Sequence, residues 1–155
     1  MTYSERILAD LKERYPEQPQ FIQAATEVLE TIQPALDAGK IVIADRFAWS
    51  TFAYQGYARG LGAEQVQRLT ELTCDGCFPE LTVVLDIAVE RGRARTARRG
   101  EAPDRLEQEK ADFFERVRKG YLAAARDYPE CVSALDADRS PDQVFADLYK
   151  LVKAR

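Results

Sequence analysis

Asp45 and Arg46 end an apolar run, Ile41-Val42-Ile43-Ala44, and a polar and aromatic stretch carries on to Gly60. In an open parallel sheet, ligands bind beyond the carboxyl ends of the strands, so an acid and an arginine delivered there have the makings of a site. Arginine presents a planar fork of donors that matches two phosphate oxygens, which lysine cannot copy. Asp45 can hold Mg²⁺ directly or through water, or it can hold Arg46 in place; the two can equally form a plain strand-end ion pair. Ser50, Thr51, Tyr54 and Gln55 come next. Residues four apart share a helical face, which aligns Ser50 with Tyr54 and Thr51 with Gln55. Two hydroxyls, a phenol and an amide can read a sugar and a base, or Ser50 can simply cap a helix. A third group is Arg91, Arg93, Arg95, Arg98, Arg99 and Arg105, six arginines in fifteen residues. Arg91, Arg95 and Arg98 or Arg99 recur at helical spacing. They can supply the positive field that phosphoryl transfer needs, or form a solvated face paired to Glu90, Glu101, Asp104 and Glu107.

The rest of the composition bounds the answer. At 155 residues the chain reads as one domain, residues 1–155, with a real core. Its formal net charge is −4, which argues against a general nucleic-acid surface. Any anionic ligand must then be held by local basic clusters. No apolar run reaches membrane-spanning length and no signal peptide opens the chain, so no membrane partner is expected and the cytoplasm is the expected compartment. Cys74, Cys77 and Cys131 read as free thiols. Cys74-x-x-Cys77 could be half of a zinc site, but with no histidine it would need a carboxylate or another subunit to complete it.

The elements that position these residues follow from periodicity. Tyr3, Ile7, Leu8 and Leu11 mark a short amphipathic helix ended by Tyr15-Pro16. Phe21–Ala38 is a longer helix that Pro34 should kink or restart, with Gly39 at its C-terminal end. Lys40–Ala44 is the first expected strand. Ser50–Tyr57 and Ala63–Leu72 are helical, with Gly60 and Gly62 between them. Leu81–Ile87 is the second strand, its Val83-Val84-Leu85 centre suited to burial on both faces. Glu90–Arg99 is a basic helix and Arg99–Asp104 a loop. Leu106–Tyr128 is a long helix, Cys131–Leu135 the third strand, and Pro141–Val152 a last helix capped by Ser140. Strands alternating with helices imply an α/β fold, a parallel sheet with flanking helices.

Together these motifs resemble the thymidylate kinase family. The resemblance rests on Ala44-Asp45-Arg46-Phe47, Ser50-Thr51 with Ala53-Tyr54-Gln55-Gly56, Arg59-Gly60, Pro79-Glu80-Leu81-Thr82 and Leu85-Asp86. It continues through Arg99-Gly100-Glu101, Asp104 to Glu109, Asp112 to Arg118 and Tyr121-Leu122. It implies a three-layer sandwich of the P-loop kinase type and phosphoryl transfer from ATP to dTMP, giving dTDP, with Mg²⁺ accompanying ATP. By the resemblance Arg46 would grip the dTMP phosphate and Asp45 would lie near the metal. Phe21, Ser50, Thr51, Tyr54 and Gln55 would line the thymidine pocket. Arg95, Arg99 and Arg105 would belong to a lid, about residues 93–107, over ATP. The loop Ala137–Ser140, with Asp138 and Arg139, would lie near the adenine.

The chain also departs from the family pattern. It contains no G-x-x-x-x-G-K-[ST], the loop that cradles nucleotide phosphates. The expectation is therefore a fold missing its first two strands, with Met1 an internal or misassigned start and no appreciable kinase activity from these residues alone. In the family the first strand lies between those matching Lys40–Ala44 and Leu81–Ile87. Its loss would open a gap of roughly 10 Å, twice the usual strand spacing. Low stability, a homodimer or a complementing N-terminal segment would follow. Where the family reads thymine with an arginine, this chain has Ala24, Ala25 and Thr26, and Tyr57-Ala58 stands where the family tends to have glycines. A second reading is a non-catalytic module that binds a nucleoside monophosphate or assembles with a complete kinase.

Overall fold

The computed structural model describes residues 2–74, 78–98 and 109–155. The chain divides into two compact units, Met1–Asp45 and Arg46–Arg155.

The first unit is a helical hairpin. Helix α1, Tyr3–Arg14, begins at a capping box in which the Thr2 hydroxyl accepts from the Glu5 N–H and Glu5 answers the Thr2 N–H. Helix α2, Pro19–Asp37, packs against it. The buried Ser4 ties the two helices together: its N–H donates to Gln33 Oε1 at 2.8 Å and its hydroxyl to the Leu29 carbonyl at 3.0 Å. Helix α2 continues through Pro34 without restarting. It ends where Gly39 takes φ +62°. There the Gly39 and Lys40 N–H groups close back on the Leu36 and Ala35 carbonyls, the paired bonds that a left-handed glycine permits.

Lys40–Ala44 is not a strand. The segment is irregular, with Ile41 and Ile43 80% and 89% exposed. An isolated extended segment gains nothing without ladder partners, and the one sheet among the described residues holds two other strands.

The second unit is α/β. Helix α3, Ala48–Thr51, runs straight into a π-helical segment, Phe52–Ala58, where a uniform short helix was expected. Gly60 and Gly62 then turn the chain at φ +74° and +93° into α4, Ala63–Cys74. Strand β1, Thr82–Asp86, is followed by α5, Val89–Ala97. Helix α6, Ala111–Asp127, leads to strand β2, Val132–Asp136, and α7, Pro141–Lys153, follows. The expected start of α6 at Leu106 lies outside the described residues, and Lys110 is its N-terminal boundary. Ser140 caps α7 through a capping box with Gln143.

The strands pair in parallel, Thr82 opposite Val132 through Asp86 opposite Asp136. Helix α6 packs on both and α7 on β2. Strand β1 is not buried on both faces: its residues are half-buried and Leu85 is 54% exposed. A two-stranded sheet cannot cover its own second face.

The core has two adjoining parts. Trp49 and Phe52 meet Ala124 and Val132, while Ala53 and Ala58 meet Phe113 and Val117. Gly120 lets α6 lie directly on the π-helical segment. A Cβ there would stand 2.8 Å from Ala53 Cα and 3.0 Å from Tyr57 Cβ, closer than real Cβ contacts.

Candidate functional site

Arg46 opens the second unit in a left-handed backbone conformation, φ +72°. For a residue with a side chain that costs about 1–2 kcal/mol, and such conformations gather at functional positions. Its guanidinium lies over the Tyr54 ring, 5.3 Å from the centroid, a cation–π contact that aims the charge. Tyr54 sits in the π-helical segment and meets Phe113 edge-on at 6.0 Å and Tyr121 at 6.5 Å. Ser50, one α-helical turn before Tyr54, places its hydroxyl 2.7 Å from the Tyr121 hydroxyl. Ser50 and Tyr54 therefore do face the same neighbour, as their spacing implied. Thr51 is exposed and Gln55 half-buried in the same stretch. The widened helix has a reason here. It closes with the Arg59 N–H donating to the Tyr54 carbonyl, a span of five residues, and π-helical turns are frequent at functional sites.

Phe21 and Asp45 belong to the first unit. Phe21 is 46% exposed and packs edge-on against Tyr15 at 5.8 Å. Asp45 is exposed. Among the described residues no group of three or more His, Cys, Asp or Glu side chains could hold a metal. A single carboxylate still fits Mg²⁺, which keeps several waters and is usually bound by one or two carboxylates plus substrate phosphates.

Among the described residues the basic helix is a paired face, held by the loop after β2; of the acids its sequence suggests, Glu101, Asp104 and Glu107 lie outside the described residues. Arg91 clamps the Asp138 carboxylate through Nε at 3.1 and 3.2 Å and Nη2 at 2.9 Å. Arg95 donates to the Ala137 carbonyl at 3.0 Å and reaches Asp138 at 3.4 Å. Arg93 donates to the Glu109 carbonyl. Hydrogen bonds from Arg91 hold the Asp138 carboxyl below the usual carboxylate range, against an opposing effect of desolvation. Arg139 turns the other way, to the Asp136 carbonyl at 3.1 Å and the Asp147 carboxylate at 2.9 Å. Arg95 and Asp138 are thus brought together, while Arg139 anchors the same loop to α7. Arg99, Arg105 and Cys77 lie outside the described residues, as does the lid beyond residue 98.

Sequence reasoning missed two features. Arg118 of α6 grips Asp86, at the carboxyl end of β1, through two parallel bonds of 2.6 and 2.9 Å. Those bonds hold the Asp86 carboxyl below its usual range, against the opposing effect of its partial burial. Tyr121 joins Ser50 and Tyr54 from the opposite helix. An acid closing a strand, and a glycine-tyrosine pair inside a long amphipathic helix, were the available signals.

The thymidylate kinase family model matches residues 7–148. Among curated relatives, the thymidylate kinase of Alkalilimnicola ehrlichii is 49% identical over 117 residues, covering 76% of this chain and 54% of that protein. That of Halothermothrix orenii is 47% identical over 133 residues, covering 83% of this chain and 62% of that protein. The crystal structure of thymidylate kinase from Ehrlichia chaffeensis matches with a TM-score of 0.58 at 28% identity, over 85% of this chain and 60% of that one. The chain therefore spans 54% to 62% of the length of these two curated relatives.

Proposed function

Because the chain belongs to the thymidylate kinase family, we propose that its 155 residues form the monophosphate-binding side of a site for phosphoryl transfer from ATP to dTMP, giving dTDP. The observation that carries this reading is Arg46, held at φ +72° with its guanidinium over Tyr54 at the head of the segment that bears Ser50, Thr51 and Gln55. Arg46 would take two oxygens of the dTMP phosphate in a fork-to-fork pair. Ser50, Thr51, Tyr54 and Gln55 would line the sugar and base.

In this reading the chain's chemistry is positioning and charge neutralisation. Arg46 would fix the acceptor phosphate in line. Arg95, with Arg99 and Arg105, would close over ATP and meet the charge on the transferring group. Asp138 and Arg139 would border the adenine. Asp45 would hold Mg²⁺, which when bound neutralises phosphate charge. The reaction belongs to nucleotide biosynthesis in the cytoplasm; no described helix is long and apolar enough to cross a membrane.

The 155 residues contain no G-x-x-x-x-G-K-[ST], and no appreciable turnover is expected from them alone. Calorimetry with dTMP tests the binding half: Arg46→Ala should weaken affinity by about ten- to a hundredfold, the loss of a charge-assisted pair. Unchanged affinity would refute the assignment. ATP-dependent dTDP formation by these residues alone, in a coupled assay, would refute their predicted inactivity.

The exposed Ile41 and Ile43 favour a second reading, a non-catalytic module that binds a nucleoside monophosphate or assembles with a complete kinase. Rescue of turnover by an added phosphate-loop segment supports the first reading. Nucleotide binding without any rescue supports the second.

A further inference from the structure

Gly120 brings α6 against the π-helical segment, and the next residue, Tyr121, is delivered beside Ser50 and Tyr54 as a result. Tyr121 is half-buried and packs against both parts of the core. Its hydroxyl lies 2.7 Å from Ser50 Oγ, and its ring stands at 83° to Tyr54 with centroids 6.5 Å apart. The Arg46 guanidinium lies over that same Tyr54 ring. One side chain therefore fixes the Ser50 hydroxyl and supports the ring that carries Arg46.

When the Tyr121 hydroxyl donates to Ser50 Oγ, the Ser50 hydroxyl keeps its own proton for a further acceptor. The shared bond holds Ser50 Oγ in place, so that proton is presented over a narrowed range of directions. We infer that Tyr121 is a positioning residue for nucleoside monophosphate binding: through Ser50 it directs a donor at an oxygen of the sugar or base. This rests on the monophosphate-site reading above.

The test is calorimetric binding of dTMP to the 155-residue chain, with Tyr121→Phe, Ser50→Ala and the double variant. Each single change should weaken binding about five- to tenfold, the range for one partly buried hydrogen bond. The double should weaken it no further, because both changes remove the same bond. Competition by inorganic phosphate, which uses Arg46, should be unchanged across the set; a merely structural Tyr121 would weaken it in parallel. Additive losses, a parallel loss of phosphate competition, or unaltered affinity in Tyr121→Phe would each overturn the inference while leaving the monophosphate site standing. A folded, unsubstituted chain that fails to bind dTMP would overturn both.

Discussion

Breaking the Asp86–Arg118 pair should destabilise the second unit by about 1–2 kcal/mol at neutral pH. The pair has two short bonds, and the side chains are 22% and 35% exposed. Fully exposed ion pairs contribute roughly 0.2–1 kcal/mol, and removing one partner of a fully buried pair costs about 3–5 kcal/mol. This pair sits between those limits, with solvent screening at the Arg118 end. Asp86→Asn keeps one acceptor for the guanidinium, which places the loss toward the lower side. Urea unfolding followed by Trp49 emission is the natural assay. Trp49 is the single tryptophan, is 4% exposed, and belongs to the same unit. The pH dependence supplies a second check. The hydrogen bonds from Arg118 lower the Asp86 carboxyl in the folded chain below its ordinary value of 3.8. The stabilisation is therefore present above that value and lost as pH falls through the lower folded value. The gap between the unsubstituted chain and Asp86→Asn should shrink on acidification. A loss under about 0.5 kcal/mol at neutral pH, or one that does not change on acidification, would refute the reasoning.

Three further outcomes are expected. Gly120→Ala should cost about 1–2 kcal/mol in urea unfolding, because overpacking against Ala53 at 2.8 Å outweighs the roughly 1 kcal/mol that alanine contributes to a helix. Arg46→Gly should leave stability unchanged or raise it by up to about 1 kcal/mol, since glycine relieves the left-handed backbone, while dTMP binding in calorimetry falls at least about tenfold. Ser140→Ala should cost about 1 kcal/mol through loss of the α7 capping box, visible as faster amide hydrogen exchange in the first turn of α7.

The local signals in the sequence translated well where local physics decides. The helix boundaries at Tyr15, Gly39 and Ser140 follow from proline, glycine and serine chemistry, and the structure keeps them. The spacing of Ser50 and Tyr54 put both on one face, and both meet Tyr121. Lys40–Ala44 failed because a strand is not a local object. Its apolar pattern suits a ladder, but extended backbone is stable only beside partners, and none pairs with it among the described residues. The π-helical widening at Phe52–Ala58 was equally hidden; it accompanies close contact with α6, a partner more than fifty residues away in sequence.

The sequence alone determined the inventory: which side chains could grip a phosphate, which helices carry them, and the motifs that mark the family. Residue type and spacing suffice for that, because donor geometry and helical period are local properties. The tertiary structure decided the partners. It set Arg91 and Arg95 on Asp138, closed Arg118 on Asp86, and brought Tyr121 to Ser50 across 71 positions of sequence. Each of these contacts depends on how α5, α6 and the two strands pack, and packing is a property of the folded chain that no single segment encodes.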